Sequence, residues 1–314
     1  MSRLFILHPS SFILALFVFA LTINFSSSAQ TPRRSGAHAT APETFTAADR
    51  TTVERAIGSA CAERIRDPQG STPIDVMQAR PSMSVNHPDA VAGAKRANRL
   101  LSITKKLVAN EIVRLAKEYG MYSGVARTRV NAAAARVHAV KQVRPNVDAR
   151  DNASVLLRDP RAIEFGTIFL AGLRSDEAMI SVLAHELTHV ASGQTDSLRP
   201  LFRAIGRRAA ARTGFRIQAQ RAEELACDLV GVDATRAFIR QTASWEPLPR
   251  RLARTLEHNC VDDDSSDEDH LSPRNTIRAL FSLDLDLARE LLGAGNSQAF
   301  LTKPASLTVR ARAF

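Results

Sequence analysis

The sequence predicts an α+β chain that is mostly helical and carries one small β-sheet. Apolar residues recur at helical spacing from Asn86 to Gly120, and the chain after Ser175 reads helical almost to its end. Between Val125 and Leu173 the pattern changes to short β-prone runs broken by turn residues.

The elements follow in order. Residues 1–29 have the layout of a secretory signal peptide: Arg3, an apolar run from Phe12 to Ile23, then the small residues Ser27, Ser28 and Ala29. Cleavage after Ala29 is expected, with an uncleaved N-terminal anchor as the alternative. Residues 30–48, rich in Ala, Pro, Ser and Thr, read as a flexible linker. An N-terminal helical region, 49–124, contains a short helix over Arg50–Arg66 and the long helix that Pro88 opens and Gly120 stops. The strand candidates are "RVHAVKQV", "ASVLLRD" and "GTIFLAGL". Helices are expected over 176–192, 197–213, 216–243, 247–258 and 273–293, with the acidic loop "DDDSSDED" among them and a tail at 294–314. The span 125–293 would be one catalytic domain, with 49–124 either part of it or an extension.

The chemistry centres on "SVLAHELTHVASG". On a helix, residues four apart point to the same side one turn apart, so His185 and His189 can each give an imidazole nitrogen to one tetrahedral zinc ion. Glu186 beside them can take a proton from water. Ser175 or Asp176 would cap that helix. The flanking Val182, Leu183, Ala184, Leu187 and Val190 bury the motif, where unpartnered imidazoles would be costly. A third ligand is needed. A metzincin would require glycine at 192 and histidine at 195, where the chain has Ser192 and Thr195. The gluzincin arrangement takes a glutamate from a later helix with an acid four residues on. "RAEELACDLVG" offers Glu224 as ligand and Asp228 to fix the ring of His185, with Glu223 as a neighbouring alternative.

These motifs resemble those of metallopeptidase family 48, which includes the HtpX heat-shock proteases and the CAAX prenyl endopeptidases. "GTIFLAGLRSDEAMISVLAHELTHV" is similar to the family's strand and HExxH helix, "EELACD" to its ligand helix, and "HLSPRNTIRAL" to its His-Pro segment. Leu271 stands where the family has proline. The resemblance covers about residues 150–282. It implies a zincin-like (gluzincin) fold, one zinc per chain (Zn2+) held by His185, His189 and Glu224, and Glu186 as the base. It further implies His270 as an oxyanion-contacting residue and "GTIFLAG" as an edge strand that aligns unfolded or extended polypeptide. His270 also reads as a surface-loop histidine beside an acidic run. His258 is a weaker oxyanion candidate and reads better as a polar residue ending a helix.

Composition narrows the partners. The net charge is +10, or +9 without Arg3, but the basic residues are scattered and only 5% of residues are aromatic. No basic run interleaved with stacking residues suggests nucleic acid, whereas peripheral contact with an anionic membrane is compatible with the charge. Three cysteines are too few for a disulfide scaffold. Cys227 reads as a small buried residue, and Cys61 and Cys260 could pair in an oxidising compartment such as a periplasm. The functional expectation is an exported zinc metalloendopeptidase. A zinc-binding chaperone or self-blocked pseudo-peptidase of the cell envelope is the competing reading.

Overall fold

The computed structural model describes residues 45–293, apart from 68–69, 73–75, 78, 81, 157–158, 196 and 262–264. The expected signal peptide, nearly all of the linker, the C-terminal tail and part of the acidic loop lie outside these residues.

Helix α1 (Ala47–Arg66) starts two residues inside the expected linker, because Thr46 and Asp49 cap it reciprocally. The Thr46 amide and hydroxyl donate to the Asp49 carboxylate, and the Asp49 amide donates back to Thr46 Oγ1. Cys61 on α1 forms a disulfide with Cys260, across a Cα–Cα distance of 5.3 Å and 199 residues of chain. Closing so long a loop removes denatured-state freedom worth on the order of 5 kcal/mol in the chain-entropy view. Helix α2 (Pro88–Glu118) runs as its periodicity predicts and buries Leu100, Leu107, Val108, Ile112 and Leu115 on one face.

The segment after Gly120 departs from the expected strands. Residues Gly124–Arg136 form helix α3, and Val137–Ala139 continue as a 3-10 turn, so "RVHAVKQV" is strand only at its end. The alanine run 132–135 carries high helix propensity, which outweighs the scattered valines. The sheet has three strands in the order β1 (Gln142–Asn146), β3 (Ala162–Gly166), β2 (Ala153–Val155). β1 is parallel to β3 and β2 antiparallel to it. The Asn98 amide on α2 clamps the outer edge of β1 by accepting from Val143 N–H (2.8 Å) and donating to Val143 C=O (3.0 Å).

"GTIFLAGL" is not an edge strand. Gly166 ends the central strand β3, and Thr167–Gly172 form the short helix α4. Its residues are almost all buried, and a continuous apolar run cannot by periodicity distinguish buried helix from buried strand.

Helix α5 (Asp176–Ser192) carries the HExxH motif, with Ser175 as its cap: the Ser175 hydroxyl accepts from the Ala178 amide at 3.0 Å. Helices α6 (Arg199–Thr213) and α7 (Ala219–Gln241) follow, then α8 (Leu248–Arg254) and a 3-10 turn at Glu257–Asn259. The expected last helix is two helices, α9 (Pro273–Leu283) and α10 (Leu285–Leu291). Asp284 at the junction leaves helical geometry and accepts from Leu287 N–H, so it caps a new start inside what periodicity reads as one run. No described helix is long and apolar enough to cross a membrane.

Helices from both halves of the chain share one hydrophobic core. α5 lies at its centre, with Leu183 and Leu187 fully buried, each contributing about 1.5–3 kcal/mol. Its first turn is fixed by a buried ionic group in which Arg251 donates to Glu177 at 2.6 Å. Arg254 there contacts both Asp67 and Glu246. α5 and α7 pack along each other, and Gly231 marks a close approach: a Cβ at that position would sit 2.7 Å from the backbone oxygen of Ser181. Gly231→Ala should therefore push the helices apart and destabilise the fold by about 1–3 kcal/mol, read as a lower midpoint in chemical denaturation. A variant as stable as wild type would show that the contact yields without cost.

Candidate metal centre

α5 presents His185 and His189 one turn apart, and α7 runs past them with Glu223, Glu224, Cys227 and Asp228 on the facing side. The two Nε2 atoms lie 3.2 Å apart. Glu224 Oε2 is 3.1 Å from His185 Nε2 and 3.5 Å from His189 Nε2. Three donors at 2.0–2.1 Å from one tetrahedral ion would be separated by about 3.3–3.4 Å, so this triangle has the dimensions of a metal-binding face.

The opposite ring nitrogens face carboxylates. His185 Nδ1 donates to Asp228 Oδ1 at 2.8 Å, and His189 Nδ1 faces Glu223 Oε1 at 3.2 Å. Each carboxylate turns its ring so that Nε2 points to the shared space. Glu223, the neighbouring alternative for the third ligand, thus takes a supporting place beside His189, and Glu224 faces both histidines.

His185, His189 and Cys227 also form a group able to hold a metal ion, with one ligand atom from each within 4.8 Å of the others. Cys227 is free and buried, as its apolar context predicts, and its Sγ lies 3.8 Å from His189 Nδ1. That is the nitrogen directed toward Glu223 and away from His185. The triangle with Glu224 uses both Nε2 atoms and leaves each Nδ1 with a carboxylate, so it is the more coherent donor set.

The electrostatics follow from burial and proximity. Burial opposes charge on His185, but Asp228 and Glu224 outweigh it and raise its pKa well above the usual imidazole value. His189 is raised likewise against burial, by Cys227, Glu223 and Glu224. Glu224 is pushed far below the usual carboxylate range, because the three histidines around it outweigh its burial. Glu186 goes the other way. It is 8% exposed, and burial is the main reason its pKa is raised, the histidines opposing. A carboxylate with raised proton affinity beside the donor triangle has the character of a general base.

His270 closes the other side. Its Nε2 lies 3.5 Å from Glu224 Oε2, and its Nδ1 is 3.1 Å from both Asp267 oxygens. Asp267 also accepts the backbone N–H groups of Asp269 and His270, so the acidic loop orients this imidazole, which is nevertheless an exposed surface-loop histidine beside that acidic run. Sequence reasoning passed over Asp267, although an acid three residues before a candidate histidine was a usable signal. His258 lies on the 3-10 turn Glu257–Asn259. Its Nε2 accepts from Asn259 Nδ2 at 3.0 Å, its Nδ1 is buried without a partner, and burial lowers its pKa. It does not join the contacts that unite His185, His189, Glu224 and His270.

No family model, no curated protein and no solved structure matches this chain.

In the metal-free protein the Glu224 hydrogen bond, against burial and with help from Asp267, raises the His270 pKa from 6.5 to about 9. A folded pKa above the unfolded one means the stabilisation is fully present below pH 6.5 and lost as pH rises through about 9. In chelator, the melting-temperature gap between wild type and His270→Ala should therefore narrow from about pH 6 to about pH 10. A gap that stays constant would show that the pairing does not form in solution.

Proposed function

We propose that this chain is a zinc-dependent metalloendopeptidase of the gluzincin type, acting on unfolded or extended polypeptide. The observation that carries the reading is the triangle of His185 Nε2, His189 Nε2 and Glu224 Oε2, with sides of 3.1–3.5 Å. Three protein donors leave room at a tetrahedral ion for water or substrate, as catalytic zinc sites do. The family-48 resemblance agrees with this donor set and with the order of its motifs.

Zinc, when bound, would supply Lewis acidity toward the scissile carbonyl and toward water. Glu186 takes the proton from the attacking water and passes it to the leaving amine, a role suited to its raised pKa. His270, held by Asp267, donates to the oxygen on which negative charge develops. Asp228 and Glu223 keep the two ligand rings in orientation. Substrate alignment falls to β2, an edge strand that packs beside α5, and replaces the role expected of "GTIFLAG". The Cys61–Cys260 disulfide supports export to an oxidising compartment such as a periplasm, where envelope proteins are the available substrates.

Glu186→Gln should keep the zinc and the fold while turnover of denatured casein falls by roughly a hundredfold or more. Equal slow turnover by wild type and Glu186→Gln, with both suppressing casein aggregation, would replace the enzyme by a zinc-binding chaperone.

The metal assignment has its own test. Elemental analysis should find one zinc per wild-type chain, little in Glu224→Ala, and an unchanged amount in Cys227→Ser. Zinc lost from Cys227→Ser and retained by Glu224→Ala would transfer the third ligand to the thiolate.

A further inference from the structure

A groove of about 810 Å³ opens between α3 and the first turns of α6, away from the histidines. That size falls within the about 300–1,000 Å³ of small-ligand clefts. Five arginines line it: Arg129 and Arg136 from α3, and Arg199, Arg203 and Arg207 from α6. The α6 residues are four apart, so they form one stripe along the helix. Arg129, Arg203 and Arg207 are exposed, and no described carboxylate lines the groove.

Some partly buried guanidinium groups face acids, as Arg114 meets Asp233, Arg236 meets Asp284 and Glu290, and Arg251 meets Glu177, while Arg212 and Arg221 donate to backbone carbonyls. Arg136, partly buried at the groove's inner end, donates to the Ala191 carbonyl (2.9 Å), the Ser192 carbonyl (3.1 Å) and the Ser197 hydroxyl. Burial with no carboxylate to offset it lowers its pKa.

A second, independent feature has the same sign. α6 begins at this groove, its N-cap Leu198 makes no side-chain hydrogen bond, and its first turn holds no acidic residue. A helix N-terminus carries partial positive charge, which here adds to the arginines that surround it. The like charges of Arg129, Arg203 and Arg207 repel one another, and an anion with several negative oxygens removes that cost. Guanidinium forks match phosphate oxygens two at a time. Among the described residues no aromatic ring lines the groove, so a stacked nucleobase has no platform there.

We propose that this groove is a binding site for a multiply charged phosphate group, of the kind carried by an anionic lipid headgroup or a free oligophosphate. Because Arg136 also holds the carbonyls that end the HExxH helix, the ligand would sit against the frame of the metal centre without touching it.

Calorimetry with inorganic tripolyphosphate on the full chain without added zinc should find one site, weakened about tenfold or more by Arg203→Glu with Arg207→Glu. Lys95→Glu with Lys106→Glu changes the net charge equally on exposed positions of α2 and should cost less than about threefold. Arg129→Glu, on the other helix, should weaken binding in the same direction and stands in if the paired variant does not fold. Flotation with phosphatidylcholine vesicles, with and without phosphatidylglycerol, separates the sources. Capture by the anionic vesicles that the arginine pair abolishes assigns a lipid headgroup, and tripolyphosphate binding without capture assigns a free phosphate ligand. Three results would overturn the site: neither probe binding, the lysine pair weakening binding as much as the arginine pair, or an oligothymidine binding more tightly at equal phosphate concentration with the same arginine dependence.

Discussion

The arrangement depends on one close crossing. α5 carries two histidines and a glutamate, and α7 carries the acids that complete and orient them. Those acids reach the imidazoles because the helices approach until the Gly231 backbone rests against the Ser181 carbonyl. A methyl group at that point would hold them apart by a fraction of an ångström to an ångström, and hydrogen bonds of 2.8–3.2 Å do not survive such a displacement unchanged. The spacing of these candidate ligands is therefore a property of backbone packing, and the side chains report it.

Around that crossing the structure is tied in ways that suit a preset site. Arg251 and Glu177 hold the first turn of α5, Arg136 holds its last carbonyls, and the disulfide joins α1 to the segment after α8. A buried ion pair of this kind adds little net stability but is costly to break, so it fixes position more than it adds free energy. Proximity couples the donors electrostatically: against burial, the surrounding acids and Cys227 raise the imidazole pKa values, and the histidines depress that of Glu224. Metal binding at such a site displaces protons, so its affinity should be coupled to pH.

What was legible in the sequence and what was not divide along physical lines. The long amphipathic helix of Pro88–Glu118 was readable because burial on one face imposes a 3.6-residue period, whereas the motif helix, buried almost all round, was readable from its Ser175 cap and the spacing of its histidines. Strands were misread wherever that period was uninformative. "GTIFLAGL" is almost wholly buried and shows no alternation, and the Ala-rich run before Arg136 combines high helix propensity with a few buried residues. The break at Asp284 was hidden for another reason, since a single capping side chain interrupts an apolar pattern that continues across it.

The sequence by itself determined the chemistry available: two histidines and a glutamate on one helical turn, a later acid pair four residues apart, and two cysteines outside the buried one. Local spacing on a helix is rigid, so three-dimensional juxtaposition within a few residues is implied by order alone. Only the tertiary structure decided which nitrogen faces which carboxylate, that Glu223 supports His189 while Glu224 faces both rings, and that Asp267 brings His270 to the same place. It alone gathered five arginines from two helices around an uncapped helix end. These are relations between segments tens of residues apart. They depend on helix-crossing distances set by packing, which no local period encodes.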